Sequence, residues 1–169
     1  MRNLSLIVCG APLAARVADV STALEAAGWL VTIVPTASAR PWLDGDHSAG
    51  DFRPPDAPKP PRPDAVVVCP MTFNTGNKWI EGHADSRPLA LLCESLGAGI
   101  PIVAVPFVNA ALWAHPAWGS NLLKLQEAGV VLIDPATGSA AQHTPLQSGS
   151  GDDVSQRFDP AWLVSALRS

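Results

Sequence analysis

Short, continuous, β-branched runs separated by longer stretches with helical spacing leave this chain few folds to choose from. Residues 4–9 (LSLIVC), 30–35 (LVTIVP), 64–69 (DAVVVC), 100–105 (IPIVAV) and 130–133 (VVLI) read as strands. Between the first two, residues 13–27 put Val17, Val20, Leu24 and Ala27 on one face of a helix that stops at Gly28. The runs are apolar on both faces and do not alternate with polar residues. They therefore predict a parallel sheet buried between layers of helices.

Two segments break the pattern. Residues 40–63 hold seven prolines and leave no room for the helix that usually crosses from a second to a third parallel strand. The crossover is expected to be irregular or polyproline-like, and mobile. Residues 135–157 are rich in Gly, Ser, Thr and Asp and are expected to form a flexible loop. Residues 159–167 then close the chain as a helix, with Asp159 at its N-cap and Pro160 at its first position. No internal repeat is visible, so residues 1–169 are expected to form a single domain.

Composition narrows the function classes. With 47% hydrophobic and 15% charged residues over 169 positions, the chain can bury a core and is not disordered throughout. A net charge of -4, with Lys and Arg scattered, argues against a nucleic-acid partner, which needs clustered cations. Cys9, Cys69 and Cys93 are odd in number, lie in apolar runs and lack C-x-x-C spacing, so they read as small buried hydrophobes in a reducing compartment, not as a disulfide framework or metal site. The apolar stretch 4–9 is too short for a signal sequence, and no run reaches the roughly 20 residues that span a bilayer. A cytoplasmic protein with no membrane partner is the expectation.

In open parallel sheets ligands bind beyond the carboxyl ends of the strands, near a switch point in strand order. Strand one is followed by Gly10-Ala11-Pro12, a small-residue turn into a helix whose free N–H groups suit an anion. It lacks G-x-G-x-x-G and Walker spacing, and by itself is equally a plain strand-to-helix turn. Strand two is followed by Thr36 and Ser38, hydroxyls that also favour ordinary turns. The segment after strand three, Pro70-Met71-Thr72-Phe73-Asn74-Thr75-Gly76-Asn77, carries more polar groups than a turn requires, which favours a ligand role.

That segment resembles the P-A-S-A-N-T signature of the homo-oligomeric flavin-containing cysteine decarboxylases, and residues 106–113 (PFVNAALW) resemble their P-x-M-N-x-x-M-W signature. The two stand in order, each after its expected strand, and the likeness runs from residue 4 to about 135. The superfamily includes phosphopantothenoylcysteine decarboxylase, lantibiotic peptide decarboxylases and, more distantly, flavin prenyltransferases. The resemblance implies a flavodoxin-like Rossmann three-layer sandwich with a parallel sheet of five or six strands. It also implies a homotrimer, or an assembly of trimers, with FMN in clefts between subunits. Carried over by position, Gly10, Ala11, Pro12, Thr36 and Ser38 would lie near the phosphate and ribityl chain, Thr72, Phe73, Asn74 and Thr75 would line the flavin, and Phe107 would lie against it. Asn109 would hold a substrate carboxylate.

The departures bear on activity. The family's catalytic His would fall within residues 52–56 (FRPPD), where there is none; the nearest is His47. The Cys-containing segment that closes over substrate in the family has no counterpart in residues 135–156, and Val108 and Leu112 replace both Met of the second signature. His83 and His115 are the remaining acid–base candidates, although an exposed or interface histidine explains each as well. Asp85 is expected to cap the helix from Ser86, and Trp79 and Trp113 to lie near the flavin or subunit contacts. The implied function is an FMN-binding enzyme, decarboxylase-like, acting on a small or peptide carboxylate. The alternatives are an FMN-binding or regulatory paralogue without turnover and, third, a prenyltransferase-like enzyme.

Overall fold

The computed structural model describes residues 1–168. Five strands, β1 (Arg2–Val8), β2 (Trp29–Pro35), β3 (Ala65–Met71), β4 (Ile102–Pro106) and β5 (Val131–Leu132), form one sheet in the order β2-β1-β3-β4-β5. Every pairing is parallel. This is the flavodoxin-like order, in which the winding direction reverses between β1 and β3. The helices are α1 (Val17–Ala26), α2 (Phe73–Ile80), α3 (Arg87–Gly97), the one-turn α4 (Ala110–Trp113), α5 (Pro116–Glu127), α6 (Gly151–Arg157) and α7 (Ala161–Ala166).

The central strands are largely apolar because they feed two cores. Leu4, Leu6 and Val8 of β1, with Ala65 and Val67 of β3, pack with Val20 and Leu24 of α1, Val154 of α6 and Leu163 of α7. The intervening residues Ile7, Val66 and Val68 pack with Trp79, Leu92 and Trp118 from α2, α3 and α5. All seven residues of β3 are buried. At about 1.5–3 kcal/mol per large apolar side chain, this two-sided burial is the main force ordering the sheet.

Several expected boundaries shift for identifiable reasons. The first helix begins as a 3-10 turn over Pro12–Arg16, and α1 starts only at Val17. Pro12 has no N–H to donate, and the Ala14 N–H reaches back three residues to the Ala11 carbonyl (2.8 Å). Gly28 ends the helix as expected, at φ 91°. The polar segment after the third strand is not a loop. Pro70 and Met71 extend β3, whose Cys69–Pro70 peptide is cis, and α2 starts at Phe73. At the chain's end Asp159 Oδ1 accepts the Ala161 N–H (2.9 Å), the expected cap. Residues 135–157, read as a loop, contain α6.

The crossover 40–63 has no α-helix or strand, only 3-10 turns over Ala37–Trp42 and Ser48–Gly50. Gly50 touches the end of β2 so closely that a Cβ would lie 2.3 Å from the Pro35 carbonyl oxygen. Beyond it the proline-rich arm spans a cavity of about 1160 Å³ floored by Ser5 and Thr32, which are register partners on β1 and β2. Burial of every strand between helix layers therefore fails at β2, where Thr32 is exposed and Leu30 is 52% exposed. No helix lies there to cover them.

The tryptophans also need correction. Trp79 points into the core, where it is 1% exposed, because α2 turns it toward the sheet; Trp118 is fully buried beside it. Gly76 lets α2 approach α5, since a Cβ there would lie 3.0 Å from the Trp118 ring. Phe73 and Trp113 pack on the same indole, with ring centroids at 5.4 and 5.9 Å. Trp118→Ala is expected to cost about 3–5 kcal/mol, read as a lower midpoint in urea unfolding.

Candidate functional site

The exits of β1, β3 and β4 are tied together by backbone. The Cys9 N–H donates to the Pro70 carbonyl (3.2 Å), and the Phe107 N–H donates to the Met71 carbonyl (2.9 Å). Beyond these ties lies a cleft of about 550 Å³. Gly10, Ala11 and Pro12 line it from the β1 exit, Thr72, Phe73 and Asn74 from the start of α2, and Phe107, Val108, Asn109 and Leu112 from the β4 exit.

Two capping residues set its shape. Thr72 is extended, and its Oγ1 accepts the Thr75 N–H (3.4 Å), so α2 begins at the cleft with the Phe73 and Asn74 N–H groups lacking intrahelical acceptors. Asn109 is likewise extended, and its Oδ1 accepts the Leu112 N–H (3.0 Å) to cap α4. Gly10 brings the β2 exit alongside, because a Cβ on it would lie 2.4 Å from the Ser38 carbonyl oxygen. Thr36 Oγ1 and Ser38 Oγ are 3.2 Å apart at this rim.

The expected cofactor residues mostly converge. Gly10, Ala11, Pro12, Thr72, Phe73, Asn74 and Phe107 line the cleft, as does Asn109. Thr36 and Ser38 stand at the rim and not in the lining, and Thr75 is buried within the first turn of α2. The histidines do not reach the cleft of this chain. His115 Nδ1 accepts the Ala117 N–H (3.2 Å) as the cap of α5, with its ring edge-on to Phe73 at 5.5 Å. His83 lies past the far end of α2, a helix about 12 Å long, and its carbonyl accepts the Cys93 thiol at 3.4 Å. Asp85 does not cap α3. It accepts from Lys78 Nζ at 3.2 Å, and that hydrogen bond holds its carboxyl below the usual range. Burial pushes the Cys9 and Cys69 thiols up, which suits small buried hydrophobes better than nucleophiles.

One wall escaped the sequence reading. Leu146, Gln147, Ser148, Gly149, Gly151 and Asp152 face the signature segments across the cleft. Gly151 brings α6 against the β1 exit, where a Cβ would lie 3.0 Å from Pro12 Cγ, and Arg16 Nη1 pins the other end of α6 through the Ser155 and Gln156 carbonyls (2.7 and 3.0 Å). The available signal was Ser150 before Asp152 and Asp153, acids that suit a helix's first turn. Asp152 is the only ionisable side chain in the lining. A cleft with small-residue turns, unpaired helix N–H groups, amide side chains and apolar rings suits a phosphorylated planar cofactor: the start of α2 offers donors, the Gly10–Pro12 turn allows close approach, and Phe73 and Phe107 offer apolar faces.

Fold and cleft together define an α/β protein with a cleft at the switch point of a doubly wound sheet. The match to the Flavoprotein family covers residues 1–152, and the chain belongs to that family. The coenzyme A biosynthesis bifunctional protein CoaBC of Mycobacterium tuberculosis is 35% identical over 88 residues, covering 52% of this chain and 20% of CoaBC. The chain thus matches about a fifth of the length of such curated relatives. A PPC decarboxylase solved with pantothenoylaminoethenethiol superposes with TM-score 0.73 at 19% identity, covering 99% of this chain and 96% of the other. The FMN-dependent cysteine decarboxylase SpaF gives TM-score 0.65 at 25% identity, covering 99% and 98%. No helix among the described residues is long and apolar enough to cross a membrane.

Gly10→Val should drive the Ser38 turn away from the β1 exit and lower stability by about 1–3 kcal/mol in chemical unfolding. Ser38→Ala, which leaves the backbone contact in place, should change it by less than about 0.5 kcal/mol.

Proposed function

We propose that this protein holds FMN in the cleft and acts, decarboxylase-like, on a small or peptide carboxylate. The observation that carries the reading is the convergence, in one cleft, of Thr72, Phe73 and Asn74 with Phe107 and Asn109, residues of both segments that resemble the decarboxylase signatures. Membership of the Flavoprotein family and the likeness to SpaF support it. FMN would supply the electron transfer, and the chain would supply position and polarity.

The small-residue Gly10–Pro12 turn would let the phosphate end approach closely, with the rim hydroxyls of Thr36 and Ser38 to hold it. The α2 N–H groups and Asn74 would meet the polar edge of the ring, and Phe73 and Phe107 its apolar surface. Asn109, with Oδ1 committed to capping α4, presents its amide NH2 as the donor for a substrate carboxylate. Assembly as a trimer would bring further residues to the open side of the cleft, where Leu112 is 40% exposed. Light scattering should then give three times the 17.6 kDa chain mass.

A second reading, FMN binding without turnover, is favoured by one observation: the lining contains no histidine, lysine or arginine. The two readings separate in one experiment. Titration with FMN should show saturable binding of one flavin per chain, and a peptide ending in cysteine should then release CO2. Flavin binding with no CO2 from any carboxylate supports the second reading, and a chain that binds no flavin overturns both. Asn109→Asp keeps the cap acceptor but opposes a carboxylate. It should leave FMN affinity within a few-fold while weakening carboxylate binding by about tenfold or more.

A further inference from the structure

The outer wall of the cleft belongs to no strand and, before α6, to no helix. One buried carboxylate ties its start to the end of β5. β5 ends at Leu132, the Ile133 N–H still donates to the Ala104 carbonyl (2.9 Å), and Asp134 follows at 1% exposure. Its Oδ1 accepts from the Ala136 N–H (2.9 Å), the Thr137 N–H (3.0 Å) and Thr137 Oγ1 (3.1 Å). Its Oδ2 accepts from the Thr144 N–H (2.9 Å) and Thr144 Oγ1 (3.1 Å). One carboxylate thus gathers five donors from the two ends of the same turn, a local counterpart to closing a loop with a covalent staple. His143 Nε2, 2.9 Å from the Leu132 carbonyl, braces the same turn.

Two residues beyond Thr144 the chain enters the cleft. The Leu146 N–H donates to the Val108 carbonyl and the Ala110 N–H donates to the Leu146 carbonyl, both at 2.9 Å, so that Leu146 forms a parallel bridge with Asn109. The bridge holds one residue only and is too short to set its own register. Thr144, two residues before Leu146, is thus the point at which the Asp134 turn meets the start of the wall, whose far end is held by Gly151 against Pro12 and by Arg16. Burial raises the Asp134 carboxyl, but the hydrogen bonds from Thr144, Ala136 and Thr137 outweigh it and hold the group below its usual range.

We infer that Asp134 is a positioning residue for the cleft: through Thr144 it seats Leu146 beside Asn109 and so preorganises the wall formed by residues 146–152. Losing it loosens that wall while the sheet stays intact, because no strand pairing or core contact passes through the carboxylate. The wall part of the inference stands on the geometry alone; its consequence for ligand affinity rests on the FMN reading above.

The test compares Asp134→Asn, Thr144→Val and Thr144→Ser with the parent in the full chain. Backbone amide exchange is followed by mass spectrometry and FMN affinity by titration. An Asn cannot accept from both groups of donors, because one of its two faces carries N–H. Asp134→Asn should speed exchange across 145–152 about tenfold or more, leave β1 and β3 unchanged, and weaken FMN about tenfold, the scale of lost hydrogen bonds to a charged group. Thr144→Val should do the same to a smaller degree, and Thr144→Ser, which keeps the hydroxyl, should match the parent. A purely structural role would speed exchange in the sheet as much as in the wall. That result, or unchanged exchange over 145–152, overturns the inference. If Asp134→Asn does not fold, the two Thr144 variants decide by the same exchange readout. If the parent itself binds no FMN, the flavin reading fails, while the exchange data still decide the role of Asp134.

Discussion

β1 lies between β2 and β3, with all three parallel, and the cleft follows from that placement. The chain must leave β1 toward one layer of helices and β3 toward the other, so their carboxyl ends diverge and leave a gap that no backbone fills. The Cys9-to-Pro70 and Met71-to-Phe107 hydrogen bonds hold the sides of that gap at fixed spacing. The residues that open it are small or capping ones. Gly10 permits contact with Ser38, Gly151 permits contact with Pro12, and Thr72 and Asn109 turn the chain from extended to helical within one residue. A side chain of ordinary size at either glycine would separate the turns that form the walls.

On the far edge of the sheet the same topology runs with less cover. The crossover from β2 to β3 must pass over β1, and seven prolines prevent a helix from doing so. The outcome is consistent along the chain. Ser5 and Thr32 sit where a covering helix would require apolar residues, and the arm spans them at a distance instead of packing on them. The apolar residues that do need cover near β2, Val34 and Ile7, find it in Ala49 and the turn around Gly50. Polar sheet residues and a helix-breaking crossover are two expressions of one local design.

Much of this was legible from residue order because its causes are local. An unbroken run such as AVVV can be buried on both faces only in a covered parallel strand, and Gly28 after Ala27 marks a helix end by its backbone freedom alone. The converging cleft residues were legible once Thr72 to Thr75 and Phe107 to Trp113 were seen to resemble known signatures. The rest depended on partners distant in sequence. Pro70-Met71-Thr72-Phe73 looks like a turn until Met71 pairs with Pro106 and Trp79 finds Trp118, which make the same residues a strand end and a helix start. The polar composition of residues 135–157 signals a loop by average, yet Asp134 organises it through Thr144, ten residues away. Sequence periodicity carries no trace of such a contact.

The electrostatics of the cleft follow from how its walls are made. The start of α2 brings N–H groups without intrahelical acceptors to the cleft, and such a helix end favours an anion by about 0.3–1 kcal/mol without placing a full charge. Asp152 is the one formal charge in the lining, and it opposes an anion bound close to it. An anionic group is therefore better accommodated beside the α2 N-terminus than at the α6 end, where Asp152 stands. The cleft is polarised along its length by backbone on one side and a carboxylate on the other. A ligand with one strongly anionic end and a neutral, planar remainder fits that gradient, whereas one anionic at both ends would need cations that this chain does not place there.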